Sequence, residues 1–357
     1  HINAREGYLK AGTALTATAD ALSVVIREMD VTGMGRVHIH TPEDKDEPLG
    51  LDINYDALSV TRLGDDGPFL AGDSLALALR GSNFVAPDQD MNLRKLLADE
   101  RAMERRKNNT VALRVDDATL LDMAIINDYT PGDMPLQFTG GTANLQADLF
   151  FGVNKISGLV ELDSDSARMV VDEQRLQADL DADIVVADGI PREYRVDVSG
   201  SRIVLDKVRV EGDNQNFNDN DWSAELEMLE AEAVVQPALK LRARAGLRVS
   251  DTRPLVAMFD NRDAPPRWVS KLITLTDLQG EASLEMEDDR VRIPLARVTS
   301  DKAEVAAKAL FTGGVRNSAV YVRYKKLDML LRTENNERNI DVVNVLEKFD
   351  AFALPDD

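Results

Sequence analysis

From Leu239 to Val249 every odd position is apolar (Leu239, Leu241, Ala243, Ala245, Leu247, Val249), while Lys240, Arg242, Arg244 and Arg248 hold the even positions around Gly246. Successive side chains of an extended chain point to opposite faces, so this spacing predicts a β-strand with one dry face and one charged face. The alternation recurs at Leu145, Ala147, Leu149 and Phe151, and at Leu176, Ala178, Leu180, Ala182 and Ile184, where acidic and amide residues fill every gap except that of Phe150. Val305, Ala307, Ala309 and Phe311 continue it near the end of the chain. A chain patterned this way must build a large sheet that is apolar on one side, and must then cover that side.

Further strands are predicted at 21–29, 36–40, 51–60, 74–79, 194–198, 203–210, 222–235, 280–287, 291–298 and 319–331. They are separated by connectors rich in Pro, Asp and Gly, such as 42–46 and 64–68. Asp90 caps a predicted amphipathic helix over 90–107, with Leu93, Leu96, Leu97 and Met103 in a stripe and Arg101, Arg105, Arg106 and Lys107 in its last turns. Pro254 and the Pro265-Pro266 pair mark short helices at 254–259 and 265–275, and 340–349 closes the chain as another. The expected architecture is mainly β: a long antiparallel meander forming an elongated, curled sheet, like a taco or groove, with a few short helices. Residues 1–109 are expected to form an N-terminal β-unit ending in the basic helix, and 110–357 the elongated groove region.

Each buried Leu or Val is worth roughly 1.5 to 3 kcal/mol, so a bare apolar face of this size would aggregate. Three covers are open to it: a second sheet, the same sheet folded lengthwise on itself, or an apolar ligand. Ala147, Ala178, Ala182, Ala243, Ala245 and Ala307 point inward and leave room that a packed sandwich fills with larger side chains. That favours the groove, although Ala set against Leu or Phe is also how ordinary cores interdigitate.

The formal charge of −21, with pI near 4.6, repels nucleic acid. No cysteine is present, which excludes disulfides, thiol catalysis and thiolate-held metals. No apolar run reaches the roughly 18 residues of a membrane-spanning helix. The start His1-Ile2-Asn3-Ala4 carries no basic-then-apolar leader, so the chain is expected to be an excised portion of a longer, anchored one.

His38 and His40 lie on one strand face with Glu43 and Asp44 nearby, a spacing that can chelate zinc or copper, but a solvated strand face is the plainer reading. Asn216, Asn218, Asn220 and Glu227 fall at calcium-hand positions, yet Asp221 stands where that loop needs glycine. Carboxylate pairs such as Asp116-Asp117, Asp181 with Asp183, and Asp288-Asp289 are what any acidic sheet shows on its wet face. No nucleophile, zinc-protease or phosphate-loop motif occurs, so the expectation is a protein that is not an enzyme and has no cofactor.

Val115-Asp116-Asp117-Ala118-Thr119-Leu120-Leu121-Asp122-Met123, the Gly140-Gly141-Thr142-Ala143-Asn144-Leu145 step into a strand, and the segment 199–208 carry a family resemblance. Asp251-Thr252-Arg253-Pro254-Leu255 and Pro265-Pro266-Arg267-Trp268 add to it. Over about 110–330 the chain resembles the periplasmic parts of the AsmA-like envelope proteins of Gram-negative bacteria, the repeating β-groove group with TamB-like and YdbH-like members. These are soft, compositional motifs. The resemblance implies a periplasmic location, an inner-membrane anchor outside this sequence, and a hydrophobic groove that carries phospholipid or another acyl-chain lipid, with envelope proteins as further partners. The groove lining would be Leu145, Ala147, Leu149, Phe151, Leu176, Ala178, Leu180, Ala182, Ile184, Leu239, Leu241, Ala243, Ala245, Leu247, Val249, Val305, Ala307, Ala309 and Phe311. The competing expectation is a closed β-scaffold acting as an assembly factor or adhesion module through its sheet edges.

Overall fold

A computed structural model of the chain describes residues 4–5, 8–9, 12–26, 28–41, 49–81, 109–129, 136–171, 174–211, 217–234, 240–253, 275–287 and 290–355. Residues 82–108 and 254–274 are outside that set, and with them the helices predicted at 90–107, 254–259 and most of 265–275. The chain is mainly β, and its strands build a long antiparallel sheet. In order, the first strands are β1 (Ala4–Arg5), β2 (Tyr8–Leu9), β3 (Ala14–Ile26), β4 (Met29–His40), β5 (Leu49–Arg62), β6 (Pro68–Gly81) and β7 (Thr110–Leu120). A 3-10 turn (Met123–Tyr129) leads to β8 (Leu136–Gly140), β9 (Ala143–Phe151), β10 (Ile156–Val171), β11 (Gln174–Ile190) and β12 (Arg195–Asp197). The remainder is β13 (Arg202–Glu211), β14 (Phe217–Asn218), β15 (Ser223–Val234), β16 (Lys240–Asp251), β17 (Thr276–Glu287), β18 (Arg290–Thr299), β19 (Ala303–Thr312), β20 (Val315–Tyr324), β21 (Leu327–Glu334), β22 (Glu337–Asp341) and helix α1 (Val345–Ala351).

Two predicted strands resolve differently. The segment 21–29 runs through the reversal between β3 and β4, where Ile26 pairs with Met29. The segment 319–331 is a hairpin, β20 and β21, turning at Lys325, which adopts φ +56°. A continuous apolar–polar alternation can hide such a reversal when both arms keep the same face inward.

Two compact units contain these strands. The first comprises His1–Leu121, Asn144–Glu161 and Val185–Val196. Within it β3 to β7 form an antiparallel meander in which Val37, Ile53, Leu77 and Leu113 are successive cross-strand partners, as are Ile39, Leu51, Leu79 and Val111. Strict alternation would lose this face halfway along β5. Ala57, at φ +59°, is the extra residue of a bulge opposite Gly33 and Met34, and it returns Leu58 and Val60 to the side of Tyr55.

The second unit comprises Asp122–Ala143, Leu162–Ile184 and Asp197–Asp357. Here β15 to β22 pair in sequence, and β13 bridges β11 to β15. Lys207, at φ +52°, kinks β13 so that Val208 and Val210 join the face of Leu205. Gly280 marks a close approach between the paired strands β17 and β18: a Cβ there would lie 1.9 Å from the Arg297 carbonyl oxygen.

α1 packs against β19, β20 and β21. Val345 and Phe349 bury against Ala306, Ala319, Tyr321 and Leu330, with the Tyr321 and Phe349 rings 5.9 Å apart. Lys308 Nζ donates to the carbonyl oxygens of Phe349, Asp350 and Phe352 at 3.0 to 3.3 Å, adding donors and a second cation to a helix end that already carries Lys348.

Candidate functional site

The apolar side of the second unit is one continuous surface, traceable partner by partner. Ala245 of β16 pairs with Met228 of β15 and Ala282 of β17; Ala282 pairs with Ala296, Ala296 with Ala307, Ala307 with Val320, and Val320 with Leu331. A parallel row runs from Leu180 and Leu205 through Ala224 and Val249 to Leu278. Because antiparallel partners share a face, these rows fix one side of the sheet from β11 to β21. Pro294 sits in the bulge where β18 shifts register against β19, as its missing N–H requires, and beyond it Ala296 and Val298 rejoin the apolar side.

The structure brings Leu176, Ala178, Leu180, Ala182, Leu241, Ala243, Ala245, Leu247, Val249, Val305, Ala307, Ala309 and Phe311 onto this one face. Ile184 follows the same alternation but is exposed. Leu145, Ala147, Leu149 and Phe151 belong to the first unit, where they form the half-buried side of β9. Leu239 lies outside the described residues.

Burial along the face is uneven. Leu176, Leu180, Val208, Val210, Leu278 and Met286 are buried, as are Ala243, Ala245 and Val249, whereas Leu226, Leu241, Leu247, Leu284, Val305, Ala307, Phe311, Val320, Val322 and Leu331 are only partly so. The tightest packing of β20 and β21 is on the opposite side, where Ala319, Tyr321 and Leu330 sit at 0–1 % exposure beneath α1. Around β11 and β13 the face is therefore covered as an ordinary core is, while over β15–β21 many of its long aliphatic side chains are only half covered.

The other side is a ladder of charge. Glu225, Glu230 and Glu232 of β15 face Arg248, Arg244 and Arg242 of β16; Arg242 and Lys240 face Glu285 and Glu287 of β17; and Glu281, Glu285 and Glu287 face Arg297, Arg292 and Arg290 of β18. Arg244 bridges two columns, reaching Glu230 at 2.7 Å and Glu281 at 3.2 Å, and Lys240 pairs with Glu287. Glu225 accepts from Arg202 at 2.7 Å and Arg248 at 3.1 Å, and the hydrogen bond from Arg202 chiefly holds its carboxyl below the usual glutamate range. The sequence displays the cations of β16, but their partners lie 14 to 47 residues away, and pairing at that distance has no local signal.

Of the other candidates, His38 and His40 share the polar face of β4 with stacked rings 5.3 Å apart, and Glu43 and Asp44 lie outside the described residues. Among the described residues no group of three His, Asp or Glu is arranged to hold a metal ion. Asn218 is in β14 and Glu227 in β15, facing Arg202 across the strands, while Asn216 is outside the described residues. Asp116 is ion-paired with Arg114 at 3.0 Å, Asp181 approaches Arg202 at 3.8 Å, and Asp288-Asp289 are outside the described residues. No helix among the described residues is long and apolar enough to cross a membrane.

No family model, no curated protein and no solved structure matches this chain.

Proposed function

We propose that the chain is a non-enzymatic lipid-binding or lipid-transport protein, in which the apolar face of β11, β13 and β15–β21 lines a trough for acyl chains. The observation that carries this reading is the half-covered state of Leu226, Leu247, Leu284, Val320 and Leu331 on the β15–β21 part of that face, beside a row of alanines, Ala245, Ala282, Ala296 and Ala307. Alanine keeps the sheet surface low. An alkyl chain laid on it recovers dispersion contacts with the neighbouring Leu, Val and Phe side chains.

Such a surface recognises chain shape and apolarity rather than a functional group, so its selectivity among acyl chains is low. The charge ladder on the opposite side supplies hydration and sets register. The affinity with AsmA-like periplasmic proteins, the periplasmic location, the inner-membrane anchor and envelope partners belong to this same proposal and rest on the motifs quoted above.

The test is organic extraction and mass spectrometry of the protein purified from bacteria without detergent. Phospholipid near one or more molecules per chain is the expected result. An empty protein that melts in one cooperative, high-temperature transition would instead place the chain among closed β-scaffolds.

A further inference from the structure

The polar face of the first unit carries a cationic basin on a chain whose formal charge is −21. Three cross-strand rows build it: Ala14, His40, Gly50 and Arg80; Thr16, His38, Asp52 and Ala78; Thr18, Arg36, Asn54 and Ala76. Ala76 and Ala78 form a low floor, and the side chains of Arg36, His38 and Arg80 stand around it, lining an open depression of about 640 Å³.

The one carboxylate in these rows is already neutralised. Asp52 Oδ1 accepts from Arg80 Nη1 at 2.6 Å, and its other oxygen lies 3.8 Å from His40 Nδ1. Arg36 and Asn54 make no ion pair or hydrogen bond among the described residues, apart from the ladder of their backbones. His38 is oriented by Thr16, whose Oγ1 lies 2.8 Å from Nδ1. Where the Thr16 hydroxyl donates to Nδ1, the ring carries its proton on Nε2 and is a donor there. The basin therefore holds a guanidinium with no partner among the described residues, an oriented imidazole, an amide, and the remaining N–H groups of Arg80, with no unpaired carboxylate in these rows.

We infer that this basin is an oxyanion site for a phosphate group, held by Arg36, His38, Asn54 and the outer N–H groups of Arg80. Charge-assisted donors converging from three strands suit a tetrahedral anion, and Arg offers paired N–H groups in a plane. The phosphate is either that of a free ester or a lipid headgroup. The inference stands apart from the acyl trough, which belongs to the other unit.

The chain has three histidines and two of them are here, so imidazole ¹H–¹⁵N spectra report the site directly. Inorganic phosphate and glycerol 3-phosphate are titrated first, at constant ionic strength set with chloride, followed by vesicles of phosphatidylglycerol and of phosphatidylcholine. A saturable shift of the His38 resonance with the soluble probes identifies a free phosphate ester as ligand; a shift with phosphatidylglycerol vesicles alone identifies a headgroup. In either case Arg36→Ala, a change at an exposed side chain, weakens binding about tenfold or more with an unchanged melting temperature. Absence of any saturable shift, equal shifts with chloride, or full affinity in the Arg36→Ala/His38→Gln double variant would overturn the site. Co-purified lipid is unaffected by Arg36→Ala if trough and basin are separate, which keeps the two readings distinguishable.

Discussion

Ala307 is the position where trough and packed core make opposite demands. It is half-buried, with Ala296 and Val320 as its cross-strand neighbours, so the surface around it is low and aliphatic. A Trp placed there occupies the space assigned to an acyl chain. Ala307→Trp is expected to remove most of the bound lipid measured by mass spectrometry while shifting the melting temperature by no more than a few degrees. If the chain's own side chains already fill that space, the same substitution overpacks the core and costs about 1 to 3 kcal/mol in denaturant unfolding. Ala245 suits this comparison less well, because it is already 2 % exposed between Met228 and Ala282 and strain there follows on either account.

At the scale of elements, α1 is the one helix among the described residues that caps the sheet, and its contacts are concentrated in Phe349. Removing that ring leaves a void against Tyr321 and Leu330, both almost wholly buried. Phe349→Ala is expected to destabilise the chain by about 3 to 5 kcal/mol. The loss of native tryptophan or far-ultraviolet signal with denaturant measures it, and a loss under 1 kcal/mol would mean that the helix is a loosely held appendage. The sequence predicts this helix at 340–349; it begins instead at Val345, since Ile340 still pairs with Leu331 in β22 and Asn344 adopts φ +53°. Alternation of apolar and charged residues marks the long strands reliably because side chains on a strand repeat every second residue. What it does not mark are the register breaks at Ala57 and Lys207, whose left-handed conformations neither residue type favours, nor the partners of His38 and of the β16 cations. The His pair was visible on β4, but Asp52 and Arg80 reach it from β5 and β6, through pairing that local pattern does not encode.

At the scale of the whole molecule, the balance of charge predicts how stability responds to acid. Glu225 is held low by Arg202 and Arg248, Asp341 by Lys348 and Arg332, and Asp197 by hydrogen bonds from Ser199. Each folded-state pKa lies below its unfolded value, which is about 4.3 for Glu and 3.9 for Asp. Their contribution is therefore complete above about pH 5, where the carboxylates are ionised in both states, and disappears as pH falls through the depressed folded values. Asp197 is exposed and Glu225 and Asp341 are only half-buried, so solvent screening keeps each contribution small and only the sum is measurable. Urea midpoints taken from pH 7 down to pH 3 are expected to stay level to about pH 5 and fall below it. In Glu225→Gln the neutral midpoint is lower and the acid fall shallower, because the variant has already lost one of the protons' targets. Self-repulsion among the excess carboxylates acts in the other direction, since protonation relieves it. A midpoint that rises on acidification, in wild type and variant alike, would mean that the net charge of −21 outweighs the ladder and that the cross-strand pairs set register without adding appreciable stability.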